Sequence, residues 1–125
     1  MKLTTKQLET VIAVIEAMEK NFCMDSPIED VASDDFFNWA NEEDIRGQFN
    51  GKTVSGRMSS LMKKGVFIKD YVYEEKWVKV RRTLTLKEFK YPLWSFTNKD
   101  MLIECLNIQP GESINSAIAR IKESF

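Results

Sequence analysis

The sequence predicts a mainly α fold carrying a small antiparallel β-hairpin, an α+β arrangement in a single domain spanning residues 1–125. Three observations predict it. Apolar residues recur at helical spacing near both ends of the chain. Residues 42–65 read as two short helices joined by a tight turn. Residues 66–86 are rich in β-formers and partly alternate, which reads as a hairpin.

Thr4 and Gln7 form a capping-box pattern. Behind it Leu8, Val11, Ile12, Ile15, Met18 and Phe22 make one stripe of an amphipathic helix over residues 5–21. Pro27 opens a second, shorter helical pattern with Ile28, Val31 and Ala32. Asn41 caps the next helix, with Glu42, Glu43 and Asp44 at its positive dipole end. Asn50-Gly51 signals a turn, and Thr53 is expected to open a further helix whose core positions are Val54, Met58, Leu61 and Met62. Gly65 ends it.

The hairpin is expected to turn at Glu74-Glu75-Lys76, with a second strand over 77–86 whose polar parity, Lys79, Arg81, Thr83 and Thr85, is basic. Tyr91-Pro92 is expected to break the strand inside a linker, 87–96. Residues 97–125 then read as a helical hairpin, capped at Asn98 and Ser113 and striped by Met101, Leu102, Cys105 and Leu106 and by Ile114, Ala117, Ile118 and Ile121.

Composition narrows the chemistry. No apolar run approaches the roughly 20 residues needed to span a bilayer, and the N-terminus shows no signal-peptide core, so a soluble cytoplasmic protein is expected. There is no histidine, and the two cysteines, Cys23 and Cys105, lie in apolar surroundings that suit buried thiols. That leaves no Cys/His zinc site and no imidazole base, so neither metal, cofactor nor catalysis is expected. Gly51-Lys52-Thr53 resembles the end of a phosphate-binding loop, but only three residues separate Gly47 from Gly51, and a helix precedes them.

The net charge of -1 hides a segregation by sign. Residues 25–44 carry eight acids and no base, whereas residues 46–90 carry twelve bases and four acids. The basic block coincides with the paired helices and the hairpin. Projected on a wheel, the second helix turns Lys52, Gly56, Ser59, Ser60 and Lys63 outward, flanked by Thr53, Ser55, Arg57 and Lys64. Small and basic residues suit close approach to a nucleic-acid groove, with hydroxyls and Arg as donors. A solvated helix face is the bland alternative. At Gly56 the alternatives are a tolerant position and one where a side chain would strike a ligand.

The pattern T-V-S-x-x-M-x-x-L-x-K-K-G-V over residues 53–66, followed by a basic hairpin, is similar to the recognition helix and wing of MarR-like winged helix-turn-helix transcription regulators. The resemblance spans residues 41–86, with the helix-turn-helix at 41–65 and the wing at 66–86, and implies a winged helix-turn-helix with extra C-terminal helices. It implies Thr53, Ser55, Gly56, Arg57 and Ser60 near bases and phosphates, Lys52 at the helix entrance, and Lys76, Lys79 and Arg81 on the wing. Lys63 and Lys64 join them as basic neighbours on the same helix.

The function expected is therefore sequence-specific binding of double-stranded DNA by a non-catalytic transcription regulator. The amphipathic helices at the two ends offer a homodimer surface. The second reading is a winged-helix adaptor or inhibitor of the phage type, which grips a protein partner through the acidic segment 25–44 with Phe36, Phe37 and Trp39.

Overall fold

The computed structural model describes residues 2–18, 24–32 and 38–125. Helix α1 (Thr5–Glu16) begins with the capping box: the Thr4 hydroxyl accepts from the Gln7 amide while the Gln7 side chain accepts from the Thr4 amide. It stops at Glu16, short of the predicted Asn21; Phe22 and Cys23 lie outside the described residues. A single 3-10 turn (Ile28–Asp30) stands where a short helix was expected. Strand β1 (Ala40–Asn41) leads directly into α2 (Glu42–Gly47), capped by the Asn41 side chain at 2.8 Å from the Glu43 amide.

Helix α3 (Ser55–Lys63) ends in a Schellman motif. The Gly65 amide donates to Met62 and the Val66 amide to Leu61, with Gly65 at φ 81, a conformation that glycine adopts freely. Strands β2 (Phe67–Val80) and β3 (Thr83–Phe96) follow, then α4 (Lys99–Leu106) and α5 (Ile114–Glu123). Asn98 and Ser113 cap the last two helices as predicted.

The expectation of a mainly α winged helix-turn-helix with a small hairpin is corrected by the sheet. Each hairpin strand has 14 residues, and β1 joins them in a three-stranded antiparallel sheet of order β1-β3-β2, an α+β architecture. The predicted wing at 66–86 and linker at 87–96 are one structure. Core packing explains the register. Phe67 pairs with Phe96, their rings 5.1 Å apart and both buried, and Lys69 pairs with the buried Trp94. A turn at 74–76 would have set Phe67 opposite Thr83 and left the two buried aromatics of β3, Trp94 and Phe96, unpaired.

The turn falls instead at Arg81-Arg82, between the closing pair Val80–Thr83. Pro92 does not break β3. It pairs with Tyr71, and alternation back from Val80–Thr83 makes this a non-hydrogen-bonded pair, so the missing N–H interrupts no bond to β2.

The core gathers α1 (Val11, Val14), α3 (Met58, Leu61), the base of the sheet (Phe67, Trp94, Phe96) and the two C-terminal helices (Leu102, Leu106, Ile114, Ala117). The apolar stripes of α1, α4 and α5 are thus buried within the chain's own core. Arg120 clasps α5 to the end of α4: it donates to Glu112 and to the carbonyls of Leu106 and Asn107. Beyond Asp70 and Leu93 the β2–β3 ribbon leaves the core as an arm. At about 3.3 Å per residue, the full strands span roughly 45 Å.

Cys105 is buried and free, and burial pushes its thiol up to about 11. A thiol raised in the folded state stabilises the fold fully below its unfolded pKa, and that contribution is lost as pH rises from about 9 to about 11. In a Cys23→Ser background, alkylation of Cys105 at pH 8 is expected to proceed only as fast as the protein unfolds, and stability is expected to fall above pH 9. Fast labelling of folded protein would contradict this.

Candidate nucleic-acid interface

Packing decides what α3 presents. Val54, Met58 and Leu61 are buried, which turns Gly56, Ser60 and Lys63 outward with Ser55 and Lys64 beside them, all exposed. The helix starts at Ser55 rather than Thr53; its N-cap position is Val54, which makes no side-chain capping bond. Thr53 lies in the turn, its hydroxyl 3.4 Å from that of Ser55. Gly56 is the second residue of α3, and a Cβ built there meets nothing within 4 Å. No internal contact therefore demands a glycine at this position.

An open depression lies at the N-terminus of α3. Lys6 of α1, Lys52 of the turn and Arg57 of α3 contribute to its lining, with Gly56 and Thr53, and no acidic residue does so among the described residues. A helix N-terminus adds the positive end of its dipole and its unpaired amides, so this concavity is suited to an anion such as a phosphate.

Arg57 has a second role. Its guanidinium stands 4.4 Å from the Phe49 ring centroid and donates to the Thr10 hydroxyl at 3.3 Å. It bridges α1, the turn and α3, so it is fixed at the rim rather than extended toward solvent. Lys64 and Ser60 are likewise tied to α1, Lys64 donating to the Gln7 side chain at 3.2 Å and Ser60 accepting from it at 3.5 Å. Lys52 and Lys63 make no ion pair among the described residues.

The arm's predicted basic face is corrected. Because the turn lies at Arg81-Arg82, strand parity reverses between Val80 and Thr83. Trp77 and Lys79 share one face with Leu84 and Leu86, whereas Lys76, Val78 and Val80 share the other with Lys87, Thr85 and Thr83. Lys76 and Lys79 thus point to opposite sides, and neither is the tip.

Arg81 is the tip, at φ 59, the left-handed region that side-chained residues rarely enter. The Lys76 ammonium stands beside Tyr91, 5.2 Å from its ring centroid, and 3.6 Å from the Glu74 carboxylate, and Tyr91 first and Glu74 second hold it above the usual lysine range. Residues 76–87, the outer part of the arm, carry five bases and no acid.

Sequence reasoning missed Lys6, Arg82 and Lys87. Lys6 reaches the depression only through tertiary packing, and no pattern in α1 marks it. Arg82 and Lys87 were hidden by misplacing the turn. In the acidic segment, Asn38 is buried and Trp39 half-buried, and Glu42 accepts a hydrogen bond from the Trp94 indole at 3.1 Å. Phe36 and Phe37 lie outside the described residues.

Comparison of the chain with protein-family models, with curated proteins and with solved structures finds no match.

Proposed function

We propose that this protein binds double-stranded DNA and acts in the cytoplasm as a non-catalytic transcription regulator. The depression at the N-terminus of α3 carries the reading. Three cationic residues from three separate elements line it at a helix N-terminus, with no acid among the described residues of its lining. A phosphate held there sets α3 beside a groove, and the exposed, small outward face of α3 then lies against base edges. The acid-free outer arm adds phosphate contacts through Lys76, Lys87 and the two tip arginines.

Lys52 and Lys6 are the informative substitutions, because Arg57 also holds the fold. The double variant Lys6→Ala/Lys52→Ala is expected to bind a pool of labelled duplexes roughly tenfold more weakly, two phosphate contacts being lost. Its thermal melting should match the wild type. Fluorescence anisotropy reads the first and circular dichroism the second. Equal affinity for the two proteins would remove α3 from the DNA interface.

A further inference from the structure

The arm exposes more apolar surface than a solvent-facing ribbon needs. Trp77 is 68% exposed and Leu84 67%, and Leu86 and Tyr73 are exposed beside them on the same face. An isolated two-stranded ribbon is marginal in water, and beyond Leu93 neither edge has a partner strand among the described residues. One level of this face is also locally unbalanced in charge. Glu75 lies directly opposite Glu88, a like-charged cross-strand pair, and neither makes an ion pair among the described residues. Such pairs are destabilising unless a cation is supplied. Lys90, the nearest base on this face, stands 3.7 Å over the Tyr71 ring. Phosphates are excluded as the cover, because they would meet the two carboxylates.

We propose that this face is a homodimer interface, in which two arms pack face to face and antiparallel about a twofold axis at the Trp77–Leu86 pair. Along one face, successive levels of the ribbon are Glu75–Glu88, Trp77–Leu86 and Lys79–Leu84. Antiparallel superposition about the middle level stacks Trp77 and Leu86 on their own copies. It also sets Lys79 of each copy over Glu75 of the other, with Leu84 over Glu88, so each carboxylate pair gains one cation at its Glu75 end. The contact is isologous and self-complementary, with an apolar centre and a charged rim. It leaves Lys76, Lys87 and the tip arginines on the opposite face and at the end of the arm, free for DNA. The helices at the chain's ends are not needed for it.

Sedimentation equilibrium of the full chain without DNA tests this independently of any DNA binding. The wild type is expected to be a dimer at micromolar concentration. Trp77→Glu is expected to be a monomer with an unchanged core, read by circular dichroism. Lys79→Glu should weaken association at least tenfold, as should Glu75→Lys/Glu88→Lys. Combining all three charge reversals should restore it. A wild-type monomer overturns the proposal, and so do a dimer indifferent to Trp77→Glu and a triple variant no stronger than its parents.

Discussion

Trp94→Ala is expected to cost about 3–5 kcal/mol, the range for removing a large aromatic from a core. Domains of this kind are stable by only roughly 5–15 kcal/mol, so much of the variant should be unfolded well below the wild-type melting temperature. Trp94 earns this weight by position. It is 1% exposed, it pairs with Ala40 on one side and Lys69 on the other, and its indole N–H bonds Glu42 at the start of α2. It therefore joins all three strands to the helix pair. Trp94→Phe keeps most of the packed volume and loses the bond to Glu42, which lies partly in water, so a loss of about 1–2 kcal/mol is expected. Urea denaturation of both variants separates the contributions. If Trp94→Ala unfolds at the wild-type midpoint, the sheet base is not the centre of the core.

The second large effect is expected at the tip of the arm. Arg81→Gly/Arg82→Ala should lower affinity for duplex DNA by roughly ten- to a hundredfold and reduce the salt slope by about 2, one unit for each phosphate contact removed. Stability should not fall. Glycine adopts the left-handed conformation that Arg81 holds at φ 59, and relieving it contributes up to about 1 kcal/mol. A change that leaves the fold as firm or firmer and weakens DNA binding isolates the charge from the turn. Anisotropy against salt concentration, with thermal melting alongside, measures both. Unaltered DNA affinity would place the arm tip away from the nucleic acid.

Local chemistry was legible in the sequence where it was sufficient. The caps at Thr4, Asn41, Asn98 and Ser113 each need only a side chain and an amide two or three residues away, and each forms. Three of the four core positions that the period of α3 marks, Val54, Met58 and Leu61, are buried, whereas Met62 is 40% exposed; the burial of Cys105 followed from its apolar neighbours. The hairpin was not legible, because its turn carries neither Gly nor Asn. Glu74-Glu75-Lys76 looked more turn-like than Arg81-Arg82, and only the distant pairing of Phe67 with Phe96 fixes the register.

One misplaced turn then put Thr83, Leu84, Thr85 and Leu86 on the wrong faces of the outer arm relative to Trp77 and Lys79. Arg57 shows the same limit at the candidate site. Its helical position suits a base reader, but its partners Thr10 and Phe49 come from other parts of the chain and hold it back.

DNA binding itself is tested most directly by the affinity of the wild-type protein for duplex DNA across a range of salt concentrations. With roughly six phosphate contacts from the depression, α3 and the arm tip, a plot of log affinity against log salt is expected to be linear with a slope of about -5. A slope near zero, or no binding even at low salt, would contradict the account.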